Sequence, residues 1–146
     1  GCSLGGMLFH SPGISSGFGI DADPRSIRAA RAISRYLQEQ EKFAFDVVDL
    51  NTEAGLSRFE QILDAVRPTH IFLLSMGSWL DNWSRLHEIL AQQKISLLLE
   101  INNEAEGQPQ LDQLKLLGYQ LTAVNESSLD DVTGNLGRKS FLASMV

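Results

Sequence analysis

From Gly17 to Gly118 the sequence alternates between two hydrophobic periods, and that alternation limits the fold more than any other feature. Residues 16–21, 43–48, 69–74 and 95–99 are short apolar runs of strand length. Between them lie sets at helical spacing: Ile27, Ala30, Ile33 and Leu37; Leu56, Phe59, Ile62, Leu63 and Val66; Leu80, Trp83, Leu86, Ile89 and Leu90; Leu111, Leu114 and Leu117. Strands alternating with helices predict a parallel sheet with right-handed crossovers. The runs at 69–74 and 95–99 are nearly continuous, which predicts burial on both faces. Asp23 followed by Pro24 predicts a capped helix running to about Gln40, Pro68 ends the next, and Gly118 ends the last. Residues 102–109 read as a polar loop. The pattern then changes: 119–124 and 139–146 both read as strands, and the polar stretch between them has no helical period. Two strands joined in this way are most simply an antiparallel pair.

The chain has 146 residues, enough for one domain with a buried core. A net charge of −6 argues against a general nucleic-acid binder, whose affinity rests on Lys and Arg neutralising phosphates. One basic stripe runs against that balance. Arg25, Arg28, Arg31 and Arg35 share one side of the predicted helix after Pro24; a solvated helix face is the first reading and an anion or partner surface the second. Cys2 is the only cysteine, so no internal disulfide is possible. No apolar run approaches the roughly 20 residues that span a bilayer and no signal peptide is visible, so a cytoplasmic location is expected. His10, His70 and His87 show no metal-ligand spacing, and no metal site is expected.

The richest stretch chemically is the first. Gly1-Cys2-Ser3-Leu4-Gly5-Gly6 precedes a short apolar helix at Met7, Leu8 and Phe9, and the strand after it ends on Asp21. Glycines let a backbone approach a ligand, and a helix start adds unpaired N–H donors. An acid at the end of the next strand can accept both hydroxyls of a ribose. These residues predict a nucleoside-cofactor site. A dinucleotide is the less favoured cofactor, because Ser3 stands where G-x-G-x-x-G needs its second glycine for close approach to a pyrophosphate. Cys2 reads as a packing residue, with no activating base nearby in sequence.

A doubly wound, mainly parallel α/β sheet with helices on both faces and a C-terminal antiparallel strand is the architecture of class I S-adenosylmethionine-dependent methyltransferases, and this sequence resembles that family over nearly its whole length. The resemblance implies S-adenosylmethionine as cofactor. Gly1, Cys2, Ser3 and Gly5 would wrap its methionine part, Asp21 with Ala22 would take the ribose, Asp49 and Leu50 would contact the adenine, and Ser75 and Met76 would close over it. The family's first motif follows a strand, whereas this sequence opens at Gly1, so residues 1–146 are expected to form a methyltransferase-like domain whose sheet lacks its first, central strand.

Methyl transfer needs an aligned acceptor and, where that acceptor must lose a proton, a base. The Asn/Asp-Pro-Pro-Tyr run of base-modifying members is replaced here by Ser75-Met76-Gly77-Ser78-Trp79. Glu100, at the end of the fourth apolar run, is then the candidate catalytic base, with a plain polar residue as the competing reading. Ser78, Trp79 and Asn102 are expected near the substrate, since ligands of such sheets bind outside the carboxyl ends of the strands. The expected activity is methyl transfer to an oxygen or nitrogen of a small molecule. The alternative is a catalytically silent domain serving a larger protein through an additional domain or partner chain.

Overall fold

The structure is a computed structural model and describes residues 1–74, 76, 79–125 and 138–145. The chain divides into two compact units, Gly1–Arg67 and Pro68–Val146.

The first unit contains α1 (Gly6–His10), β1 (Gly17–Asp21), α2 (Pro24–Tyr36), β2 (Phe43–Val47) and α3 (Glu53–Val66). Strands β1 and β2 pair in parallel, from Gly17 opposite Phe43 to Asp21 opposite Val47. Helix α2 starts as expected: the Asp23 side chain accepts from the Arg25 N–H, and Pro24 occupies the first turn. It stops at Tyr36, short of Gln40, because Gln38 turns into the left-handed region (φ 58°) and the Glu39 N–H reaches back to the Ser34 carbonyl. Its inner face buries Ile27 and Ala30 against Phe43 and Phe45, with Cys2, Leu8, Phe9 and Ile14 packed around them. Each such large apolar side chain contributes roughly 1.5–3 kcal/mol on burial.

The second unit contains β3 (His70–Leu73), α4 (Trp83–Gln92), β4 (Ser96–Ile101), α5 (Glu104–Leu116), β5 (Tyr119–Asn125) and β6 (Lys139–Met145). Its sheet order is β3–β4–β6–β5. Strands β3 and β4 are parallel, and β6 lies antiparallel between β4 and β5. Three of the four strands therefore share a direction and only the last is reversed, as the change in pattern near the C-terminus predicts. The connecting residues 126–137, expected to be a polar loop, lie outside the described residues. The Tyr119 hydroxyl donates to the buried Ile95 carbonyl at 2.9 Å and ties the start of β5 to the residue before β4.

Two expectations need correction. Residues 104–109 are helix, not loop: the Asn103 side chain accepts from the Glu106 N–H and starts α5 there, with Pro109 inside the helix. An Asn followed three residues later by Glu is itself a capping signal, here masked by the polar composition of the first turn. The two-faced burial expected of β3 is not observed either. It is the terminal strand of its ladder, His70 is exposed, and of its residues only Leu73 is fully buried. Strand β4 alternates, with Leu97, Leu99 and Ile101 buried and the residues between them half-buried. No helix of the described residues is long and apolar enough to cross a membrane.

Candidate functional site

In the first unit the glycine-rich turn is tied to the end of β1 by its backbone. The Cys2 N–H donates to the Ile20 carbonyl at 2.7 Å, and the Ser3 N–H donates to Oδ2 of Asp21 at 2.9 Å. Oδ1 of Asp21 accepts from the Asp23 N–H, also at 2.9 Å. Each oxygen thus spends one lone pair on the backbone; an ionised carboxylate offers about four acceptor positions, so two directions remain for hydroxyl donors. Ala22 beside it is exposed.

Gly5 is where the turn needs a glycine twice over. Its φ of +79° is left-handed, and a Cβ there would lie 2.8 Å from the Phe45 ring and 2.9 Å from Phe9. Gly19 in β1 is also pressed against Phe45, and a Cβ would approach the ring at 2.6 Å. The packing of Phe45 accounts for both, so these glycines shape the turn whether or not a ligand is bound. Gly1 lies exposed at the start of the turn. Cys2 is half-buried, and desolvation, reinforced by the Asp21 carboxylate, pushes its thiol up to about 11. It stays protonated and is no nucleophile at neutral pH.

Asp49 follows β2. Strands β1 and β2 are in register, and the Val48 N–H donates to the Asp21 carbonyl at 2.9 Å, so Asp21 and Asp49 stand at the carboxyl ends of neighbouring parallel strands. The Asp49 side chain is exposed, and Oδ1 accepts from the Asn51 N–H at 3.0 Å. Its carbonyl accepts from both the N–H and the hydroxyl of Thr52, which caps α3 through Gly55. Leu50 is buried, at 6% exposure. Sequence reasoning overlooked Gly55: a Cβ there would sit 1.8 Å from the Asp49 carbonyl oxygen, so only glycine lets α3 start this close to the loop.

In the second unit the carboxyl ends of β3 and β4 carry the remaining candidates. Ser75 and Ser78 lie outside the described residues. Met76 is half-buried, and its carbonyl accepts from the Trp79 N–H at 2.9 Å. Trp79 is 76% exposed, which is unusual for so large an apolar ring. Glu100 is in β4 with its side chain 19% exposed, and Arg138, just before β6, places Nη1 3.5 Å from its Oε1. Asn102 is half-buried beyond the strand end. The Arg138 partner was not foreseen; only the antiparallel register, with Glu100 opposite Ser140, brings it near. The exposed Glu104 carboxylate lies 3.6 Å from Lys139 on the same edge.

No protein-family model and no curated protein matches the sequence. Solved structures do. The chain is similar to the precorrin-6y C5,15-methyltransferase of Geobacter metallireducens GS-15, at 12% identity and a TM-score of 0.58, over 88% of this chain and 66% of that one. It is similar to the MTase domain of METTL16, at 10% identity and a TM-score of 0.66, over 98% of this chain and 65% of that one. The fold is that of the class I methyltransferases. The chain spans just under two thirds of the length of these two proteins. The [4+2]-cyclase SpnF is a third structural neighbour, at 10% identity and a TM-score of 0.66, over 99% of this chain and 73% of SpnF. A cyclase among the neighbours of the methyltransferase fold illustrates that a fold carries sites of differing chemistry.

Proposed function

We propose that the protein is a cytoplasmic enzyme that binds S-adenosylmethionine and transfers its methyl group to an oxygen or nitrogen of a small molecule. The observation that carries this reading is Asp21, a strand-end carboxylate clamped to the glycine-rich turn by the Ser3 N–H and still able to accept two hydroxyls. In this reading residues 1–146 act as one methyltransferase-like domain, which the 98–99% coverage of the chain by single neighbouring folds supports. The donor set fits the ribose end of the cofactor. Gly1, Cys2, Ser3 and Gly5 present backbone to its methionine part, Asp21 and Ala22 hold the ribose, and Asp49 with Leu50 receives the adenine. The family resemblance assigns Ser75 and Met76 to the same cofactor. The bound cofactor supplies a methyl group on an electrophilic sulfonium. The protein's share is to align the acceptor, with Ser78, Trp79 and Asn102 beside it, and to take up its proton on Glu100.

Titration calorimetry on the full chain tests the reading. S-adenosylmethionine or its demethylated product binds, NAD does not, and Asp21→Ala weakens binding at least about tenfold, because each hydrogen bond to the carboxylate is worth roughly 1.5–3 kcal/mol. Unchanged affinity in Asp21→Ala, or a preference for NAD, overturns it. A second reading, a silent cofactor-binding domain, draws on the engagement of Glu100 by Arg138. Binding with no methyl transfer to any acceptor offered would favour it.

A further inference from the structure

The arginine stripe on α2 divides into two kinds of residue. Arg31 is used by the fold: Nε and Nη2 donate to the Phe45 carbonyl, and Nη2 lies 3.7 Å from Asp46. Arg25, with its side chain 83% exposed, touches Asp23 at 3.2 Å. Arg28 and Arg35 are exposed and have no hydrogen-bond or ion-pair partner among the described residues. Tyr36, the last residue of the helix, is 87% exposed. At 100° per residue Arg28, Arg35, Arg25 and Tyr36 fall on one outward arc, opposite buried Ile27, Ala30 and Ser34.

Helix stability accounts for Arg35, whose charge in the last turn suits the helix dipole, but not for the rest of the stripe. The helix contains no acidic residue from Pro24 to Tyr36. Arg25, Arg28, Arg31 and Arg35 are spaced three or four apart, where like charges repel, and Arg25 stands at the positive end of the helix dipole. A merely solvated face mixes signs; this one is wholly basic in a chain of net charge −6. The residue types are also selective. All the cations are arginine, whose planar guanidinium binds phosphate in a bidentate way and stacks on bases, and the exposed ring beside them is a surface on which an unstacked base can lie.

We propose that the outer face of α2 is a docking surface for a single-stranded nucleic acid, with Arg25, Arg28 and Arg35 on successive phosphates and Tyr36 stacked on a base. This goes beyond the reading of the cofactor site and does not depend on it. The overall negative charge does not forbid it: at physiological salt fields fade over about 8 Å, so a strand in contact with α2 responds to the local stripe. With about three phosphates engaged, binding is weak and falls with salt at a log–log slope of about −2.

The test is fluorescence anisotropy of a labelled 20-nucleotide oligouridine titrated with the full chain at several salt concentrations. Binding with the stated slope is expected. Arg28→Ala with Arg35→Ala lowers the slope toward −1, and Tyr36→Ala weakens binding at least about fivefold at every salt. Circular dichroism checks that these exposed substitutions leave the fold intact. No binding at 50 mM salt, or binding unaltered in a folded double variant, overturns the proposal. Equal binding of polyglutamate, lost in the double variant and indifferent to Tyr36→Ala, overturns it in favour of an acidic protein partner.

Discussion

Ser3 and Asp21 are 18 positions apart in sequence and are joined by a 2.9 Å hydrogen bond from the Ser3 N–H to Oδ2 of the carboxylate. The bond uses only the backbone of Ser3, while the residue itself sits in the left-handed region at φ 48°. Side chains other than glycine's are strained there by roughly 1 kcal/mol. Ser3→Gly is therefore expected to keep the bond to Asp21 and to stabilise the protein by up to about 0.5 kcal/mol, after allowing for the greater freedom glycine gives the unfolded chain. Urea denaturation of the two proteins measures it. A loss of stability would mean that the serine side chain contributes to the turn.

Gly55 leads to a prediction of opposite sign. In a helix interior alanine is usually preferred over glycine by about 0.5–1 kcal/mol. Here the Cβ would stand 1.8 Å from the Asp49 carbonyl oxygen and 2.9 Å from Oγ1 of Thr52. Overpacking against a backbone atom costs roughly 1–3 kcal/mol and outweighs the helical preference. Gly55→Ala is expected to lower the denaturation midpoint and, by shifting the loop that carries Asp49, to weaken cofactor binding. Equal stability would show that α3 can retreat without cost.

These two sites mark what the sequence made legible. Periodicity located β1 to β6 and the apolar faces of α2 to α5, because strand and helix burial leave periods of 2 and 3.6 whatever the ligand. The antiparallel end followed from the change in pattern after Gly118. Asp21 and Asp49 were legible as strand-end acids. The partners that hold them were not. The bond from Ser3 to Asp21, the approach of Gly55 to Asp49 and the pairing of Arg138 with Glu100 depend on strand register and helix placement, which no local pattern encodes. The start of α5 was missed because the polar side chains of its first turn face water, so it shows no apolar period; only the cap at Asn103 announces it.

Glu100 separates a catalyst from a silent domain. If it takes the acceptor's proton, Glu100→Gln lowers turnover by roughly 100-fold or more and leaves cofactor affinity intact. Arg138→Met, which removes the guanidinium 3.5 Å away, is expected to change turnover through the placement of the Glu100 side chain while cofactor affinity again stays the same. Steady-state kinetics and calorimetry read these two quantities separately. Full turnover in Glu100→Gln would assign proton removal to another group or show that the acceptor needs none.

The last prediction concerns acid sensitivity and His87. This histidine lies in α4 at 1% exposure, its ring edge-on to Trp83 at 5.7 Å. The Gln113 amide nitrogen donates to the hydroxyl and the carbonyl of Ser84, so its oxygen is left to accept from Nδ1–H of His87 at 3.2 Å. That fixes the neutral tautomer and links α4 to α5. Burial pulls the imidazole down from 6.5 to about 4, and the bond to Gln113 offsets only part of this. Between those two values the unfolded chain carries a proton that the folded chain excludes, so stability rises with pH across the window and is lost as pH falls through it. Going from pH 7.5 to pH 5 should cost about 2 kcal/mol from this residue alone, taking 1.36 kcal/mol per unit below 6.5. Carboxylates add their own dependence, so the comparison must be differential. In His87→Asn the side-chain amide can still donate to Gln113 but does not titrate. The variant is expected to be less stable at pH 7.5, because the pocket is underfilled, and to lose about 2 kcal/mol less than the native protein on acidification to pH 5. Urea denaturation at the two pH values decides it. Parallel losses in both proteins would show that His87 is protonated without leaving its pocket.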